Sequence, residues 1–124
     1  MAQQPSVLIV DDVEMNRQLL EKVFEERFDV VSVDSGEAAL EAMRHIVPDV
    51  ILLDVMMPGI SGYDVCRHIR ADEQLKSIKV FMVSARAMDD DQEQGIDAGA
   101  DEYITKPFNA FELRDRLLVM LDAN

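Results

Sequence analysis

A chain of 124 residues has the size of one domain and can bury about two-thirds of its unfolded surface in a single core. Hydrophobic residues at 48% and charged residues at 30% give the composition of a soluble globular protein and exclude a disordered one. Twelve basic residues against 25 acidic ones leave a formal charge of −13, which opposes contact with nucleic-acid backbones or anionic lipid.

Residues 7–10 (VLIV) form an apolar run of strand length. Residues 13–26 (VEMNRQLLEKVFEE) follow with Met15, Leu19, Leu20, Val23 and Phe24 at helical spacing, which predicts a strand–helix unit. Residues 30–33 read as a short second strand. Residues 35–46 read as a helix opened by Ser35, with Ala38, Leu40, Ala42, Met43 and Ile46 as its apolar surface. The third strand is DVILL at 49–53, ending against Asp54. Ser61 and Asp64 match a capping box and open a third helix running to about residue 71, with Cys66 and Ile69 facing inward. VFMV at 80–83 is the fourth strand. A fourth helix is predicted over 87–97, where Ala87, Met88 and Ile96 supply little apolar surface, so it should dock loosely and move most readily. EYIT at 102–105 makes a fifth strand. Asn109, with Glu112 three residues on, starts a last helix that carries Phe111, Leu117, Leu118 and Leu121.

Strands alternating with helices in this way predict a doubly wound α/β domain. Parallel strands need crossovers, and right-handed crossovers place helices on both faces of the sheet. No composition shift, linker or repeat divides the chain, so residues 1–124 are expected to form one domain. Cys66 is the single cysteine and no His or Cys pair stands at ligand spacing, which argues against a disulfide or a zinc site. The N-terminal MAQQPS lacks a basic stretch followed by an apolar one, and no run approaches a membrane span, so the expected location is the cytoplasm, with no membrane partner.

In an open parallel sheet, ligands bind beyond the carboxyl ends of the strands. Strand one ends in Asp11 and Asp12, strand three in Asp54, strand four in Ser84, and strand five in Thr105 followed by Lys106-Pro107. Each has an ordinary explanation alone: Asp11 or Asp12 as a helix cap, Ser84 as a loop hydroxyl, Lys106 as a solvated charge. Together they share one rim. Carboxylates there would repel by about 4 kcal/mol per pair at about 4 Å and an effective dielectric near 20, so a counter-charge is required. Lys106 is one source. An all-oxygen site with few protein ligands also suits Mg2+, for which Mn2+ should substitute. A carboxylate beside a divalent cation, an ammonium and a hydroxyl is equipped for phosphoryl transfer, with Asp54 as nucleophile.

The stretches VLIVDD, ILLDVMMPGISG, VSA and YITKPF, in this order and at these strand ends, strongly resemble the receiver domain of bacterial two-component response regulators, from Val7 to about Leu121. That resemblance implies a flavodoxin-like sheet in the order 2-1-3-4-5 with five helices. It also implies that Asp54 accepts a phosphoryl group from a phosphohistidine on a sensor histidine kinase or a histidine phosphotransfer protein. Asp12, Asp54 and the backbone carbonyl of Met56 would hold Mg2+, with Asp11 reaching it through water. Lys106 would pair with phosphoryl oxygens, Ser84 would hydrogen-bond to them, and Tyr103 would be the aromatic switch that turns inward. Pro107 would follow a cis peptide, and Pro58 and Gly62 would shape the loop after Asp54. Ser84 stands where the family often has Thr, which keeps the hydroxyl and drops the methyl. Met56 and Arg86 are bulky enough to obstruct an attacking water, so a long-lived phosphorylated form is expected. Glu102, Glu112 and Arg116 resemble positions that pair across dimers in some DNA-binding relatives, with Gln92 where a basic residue is expected. The corresponding expectation is a homodimer, dependent on phosphorylation, through the fourth helix, fifth strand and fifth helix.

The rivals lack their own signatures. No GxxxxGK[ST] loop supports a P-loop nucleotidase, and DDVEMN stands where a dinucleotide-binding domain needs GxGxxG. Met56 occupies the position of the second Asp required by haloacid-dehalogenase-type phosphatases. A receiver-like scaffold that is never phosphorylated would not need the full set Asp11, Asp12, Asp54, Ser84 and Lys106. His45 and His68 are expected on the surface, without acidic partners. No effector region is evident in the sequence. A stand-alone regulator, one stage of a relay and a piece of a longer chain all fit.

Overall fold

The computed structural model describes residues 4–85 and 89–122. The strands are β1 (Ser6–Val10), β2 (Asp29–Val33), β3 (Val50–Asp54), β4 (Lys79–Ser84) and β5 (Glu102–Thr105). The helices are α1 (Glu14–Phe24), α2 (Gly36–Ala42), α3 (Gly62–Ala71), α4 (Asp89–Ala98) and α5 (Ala110–Asp122). All four strand pairings are parallel and the sheet order is β2-β1-β3-β4-β5, as predicted.

Strand alternation divides the core in two. Leu8, Ile51, Leu53, Val80 and Met82 pack on one face against α2, α3 and Ala98 of α4. Val7, Ile9, Val50, Leu52 and Phe81 pack on the other against Leu20, Val23 and Phe24 of α1 and Leu113 and Leu117 of α5. Every residue of β3 is buried, because its neighbours β1 and β4 flank it and helices cover both faces. That explains its unbroken apolar run. Asp54 is the last residue of this strand, not a residue after it.

Local chemistry fixes the helix starts. Ser35 Oγ accepts the Ala38 N–H at 3.0 Å, and Ser61 with Asp64 forms the predicted capping box. Asn109 Oδ1 accepts the Glu112 N–H at 3.0 Å.

Several expectations change in three dimensions. Met15 and Leu19 are 78% and 59% exposed, because α1 meets the sheet through Leu20, Val23 and Phe24 and turns the adjoining stripe outward. Helix α2 stops at Ala42, four residues short of its expected end. Short i→i+3 bonds from Arg44 and His45 tighten the chain there, ahead of Pro48, whose ring disfavours helix at the preceding residue. Ile46 is therefore exposed. Phe111 is exposed too, and Leu113 takes the buried place on α5. His45 does have an acidic neighbour: Nε2 lies 3.4 Å from Glu41 Oε1, one helical turn earlier.

Helix α4 starts at Asp89. The expected contributions of Ala87 and Met88 fall outside the described residues, and Ile96 is exposed. The helix meets the sheet through small residues, Gly95 and Ala98. A Cβ at Gly95 would lie 2.8 Å from Tyr103 Cδ2 and 3.1 Å from Met82 Sδ, so the helix rests directly on the tyrosine ring. Its C-terminal end is tied down by Arg70 of α3. The guanidinium donates to the carbonyls of Gly99 (2.8 Å), Lys76 (2.8 Å) and Ile78 (2.6 Å) and to Asp101 Oδ2 (2.9 Å). Asp101 Oδ2 also accepts the Val80 N–H at 2.7 Å. Arg70→Met would strip three backbone carbonyls and a carboxylate of their donor, and should lower unfolding stability in urea by about 3 kcal/mol. A change below about 0.5 kcal/mol would show that Arg70 is an ordinary surface residue.

Candidate functional site at the strand ends

The carboxyl ends of β1 and β3 put Asp11 and Asp54 side by side. They are 3% and 7% exposed, unusual for a residue type that is almost never fully buried unless paired. The partner is Lys106, just past β5, whose Nζ lies 3.4 Å from Asp11 Oδ2 and 3.4 Å from Asp54 Oδ2. The following Lys106–Pro107 peptide is cis. Asp12 is exposed, yet oxygens of Asp11, Asp12 and Asp54 all lie within 4.8 Å of one another.

Backbone donors orient the two buried carboxylates. Asp11 Oδ1 accepts the Val13 N–H at 2.8 Å and Asp54 Oδ1 accepts the Met56 N–H at 3.1 Å, each spanning two residues in the manner of an Asx turn. Such a turn ends its strand and aims the carboxylate over the rim. The loop after Asp54 is pinned from two sides. A Cβ at Gly62 would lie 2.5 Å from the Asp54 carbonyl oxygen, so only glycine lets α3 begin against this backbone. Gly59 adopts a φ of 83°, and Glu37 Oε2 of α2 accepts the next N–H, that of Ile60, at 3.3 Å.

Burial pushes the Asp54 carboxyl above the ordinary aspartate range. Lys106 and the Met56 N–H pull in the opposite direction without cancelling the effect, and Asp11 adds to the rise. The reason is desolvation: with few waters in reach, the charged form loses more than one shared ammonium returns. Hard oxygen donors converging on one point, with one ammonium for two buried carboxylates, suit a small divalent cation.

Asp54, Asp11 and Lys106 line a cavity of about 480 Å3 whose other walls include Leu19, Leu20, Leu52, Val83 and Phe108. This is the α1/α5 side of the sheet. Ser84 lies elsewhere. It is fully buried and shares strand parity with Met82, so alternation puts it on the α3/α4 side. Tyr103 is there too, paired in register with Met82 and packed against that core. The Tyr103 ring is turned inward, and its hydroxyl is buried without a hydrogen-bond partner among the described residues. The residues singled out from sequence thus form a group of three charges on one face, Asp11, Asp54 and Lys106, with Asp12 exposed beside them at the strand end, and a hydroxyl–aromatic pair on the other. They meet at the rim, where Asp54 is in register with Val83, one residue before Ser84. Met56 is half-exposed beside Asp54; Arg86 falls outside the described residues.

Two neighbours were not anticipated. Asn16 Nδ2 donates to Asp11 Oδ2 at 3.3 Å, and Arg17 Nη1 donates to the Asp11 carbonyl at 2.8 Å. The available signal was their position one helical turn after a strand-terminal Asp pair, which returns both side chains to the strand end.

A profile of the response regulator receiver domain matches residues 7–118. The chain belongs to this family. It is 43% identical over 122 residues to the transcriptional regulatory protein CseB of Streptomyces avermitilis, covering 98% of this chain and 51% of CseB. The DNA-binding response regulator MtrA of Mycobacterium leprae is 40% identical over 119 residues, with 95% of this chain and 52% of MtrA covered. The receiver thus spans about half the length of these curated relatives. The BeF3-activated receiver domain of DrrB, a response regulator of Thermotoga maritima, superposes with a TM-score of 0.88 at 29% identity, over 97% of this chain and 99% of the DrrB domain. Among the described residues, no helix is long and apolar enough to cross a membrane.

The raised Asp54 value makes a signed prediction. A carboxyl whose folded-state pKa exceeds its unfolded one erodes native stability as pH rises through that interval. Asp54→Asn removes the erosion. In metal-free buffer its urea midpoint should exceed wild type at about pH 7, and the advantage should shrink toward about pH 4, near the unfolded aspartate value. An advantage independent of pH, or a midpoint below wild type at neutral pH, would contradict burial as the dominant effect.

Proposed function

We propose that this receiver is a phosphoryl-accepting switch in two-component signalling, with Asp54 as the acceptor and a phosphohistidine on a sensor histidine kinase or histidine phosphotransfer protein as the donor. The observation that carries this reading is the Lys106 ammonium held between the buried Asp11 and Asp54 carboxylates at the open end of the sheet. An Asp54 oxygen attacks phosphorus in line; the P–O bond forms as the P–N bond breaks, and the imidazole nitrogen keeps the electron pair. Little covalent work falls to the protein in such transfers, so positioning and charge neutralisation decide the rate.

Lys106 turns from the carboxylates to a phosphoryl oxygen as charge builds on Asp54. Asp12, Asp54 and the Met56 carbonyl would hold Mg2+, or Mn2+ in its place, with Asp11 contributing through water. The bound cation supplies positive charge for the carboxylates and the phosphoryl oxygens together. Ser84 turns its hydroxyl toward the new group from the far side of β4. Modification adds about 1.5 to 2 negative charges and three acceptor oxygens, and drawing Ser84 inward changes the space that Tyr103 and α4 share. Half-exposed Met56 beside Asp54 screens the acyl phosphate from water, so a long-lived phosphorylated form is expected. The domain catalyses its own phosphorylation and slow dephosphorylation and turns over no separate substrate. Its setting is the cytoplasm.

CseB and MtrA are named for transcription and DNA binding. With a formal charge of −13, this domain would serve in such a protein as the switch and not as the nucleic-acid contact. Dimerisation through α4, β5 and α5 belongs to the proposal in altered form. Arg116 pairs with Glu102 of its own chain, so a dimer would exchange that pair, and exposed pairs of this kind set register at about 0 to 1 kcal/mol each.

Acetyl phosphate with Mg2+ should add the mass of one phosphoryl group to the wild type, and none to Asp54→Asn or to samples treated with EDTA. Full labelling of Asp54→Asn, or no labelling of the wild type by acetyl phosphate or by any histidine kinase tested, would overturn the assignment.

A further inference from the structure

We infer that Asn16 is a positioning residue for phosphoryl transfer: its carboxamide holds Asp11 in place when Lys106 leaves it for the phosphoryl group. The inference rests on the acceptor reading of Asp54 and adds a residue which that reading does not contain.

The hydrogen bonds of Asp11 are unequal. Oδ1 is held firmly by the Val13 N–H at 2.8 Å, within the usual range for such bonds. Oδ2 is shared by two long contacts, Lys106 Nζ at 3.4 Å and Asn16 Nδ2 at 3.3 Å. Asn16 is half-buried, not solvated like its neighbours Glu14, Met15 and Gln18, and it lines the same cavity as Asp54 and Lys106. Among the described residues that donate to Oδ2, it is the one that can stay when the ammonium moves. Lys106 cannot fully serve both ends. Once it engages a phosphoryl group on Asp54, Asp11 Oδ2 loses its direct ammonium contact, and because Mg2+ would reach Asp11 only through water, this buried oxygen needs another direct donor.

With the carboxamide present, that loss is softened and the ammonium is free to move. Without it, Asp11 retains Lys106 and competes with the incoming phosphoryl oxygens. Asn16 therefore acts through Asp11 and Lys106 and never touches the reacting atoms. Arg17 donates to the Asp11 backbone carbonyl and fixes the strand end, not the carboxylate, so it does not replace Asn16.

The test compares wild type with Asn16→Leu, which keeps the size and loses the donor, Asn16→Asp, which keeps the shape and can only accept, and Asn16→Gln, which keeps a carboxamide. The rate of labelling by acetyl phosphate at saturating Mg2+ should fall about tenfold in the Leu and Asp variants, the equivalent of one hydrogen bond to a charged group, and recover in part with Gln. A second readout needs neither metal nor donor. In the metal-free protein, the Asn16 side-chain amide resonances should shift when Lys106 is replaced by Ala, since the two donors share one oxygen. Wild-type rates in both the Leu and Asp variants, or Asn16 amide resonances that ignore Lys106→Ala, would overturn the inference while leaving Asp54 as acceptor. No labelling of the wild type would overturn the acceptor reading and this inference together.

Discussion

One ammonium serves two buried carboxylates. Lys106 lies 3.4 Å from both Asp11 and Asp54, and much of the rest of the structure serves to create that imbalance. The apolar interior of β3 carries Asp54 to the rim without exposing it, β1 does the same for Asp11, and the close approach of Gly62 packs α3 against the backbone of Asp54 itself. Burial alone would favour the neutral acid, and the upward shift of Asp54 records that preference. The site is consequently poised. It is short of positive charge before any ligand arrives, and the shortage can be relieved by a divalent cation or by turning the same lysine wholly toward one acidic partner.

The two faces of the sheet divide the labour. Asp54, Asp11, Lys106 and Asn16 border the α1/α5 cavity, whereas Ser84, Met82, Tyr103 and Gly95 belong to the α3/α4 side. Ser84 links the two because it ends the strand next to β3. The far side is held at both ends of α4: near its start the Tyr63 hydroxyl of α3 donates to the Asp91 carbonyl at 3.2 Å. Arg70 clamps the C-terminal end of α4 through backbone carbonyls, while the middle of the helix rests on the Tyr103 ring through a glycine. That ring sits inward with its hydroxyl unpartnered among the described residues, an arrangement in which packing offsets a polar penalty of about 1 to 3 kcal/mol.

Most of the architecture was legible in the sequence, because each buried parallel strand is a short apolar run and each ends in a residue that does not belong in a core. Asp11, Asp54 and Lys106 could be grouped on that basis alone. What escaped depended on rotation and partner geometry. Met15 and Leu19 fit a helical apolar pattern as well as Leu20 and Val23 do, and only the docking angle of α1 decides which pair is buried. The early stop of α2 came from tight turns ahead of Pro48, and the exposure of Phe111 from α5 rolling onto Leu113. Asn16 looked like one more polar residue on a surface helix, since nothing in its identity announces that the first turn of α1 leans over the strand end. The separation of Ser84 from Asp54 by the sheet itself follows from strand parity once the register of β3 and β4 is known, and not before.

The central claim is that charge gathered at Asp54 on one face is felt on the other through Ser84 and Tyr103. Amide spectra of the Mg2+-loaded protein with and without beryllofluoride, a mimic of the phosphoryl group, test it directly. The account predicts shifts around Asp11, Asp54 and Lys106 accompanied by shifts of comparable size at Ser84, Tyr103 and Gly95, with the second group lost in Ser84→Ala. Shifts confined to the neighbourhood of Asp54, or far-face shifts that persist in Ser84→Ala, would contradict it.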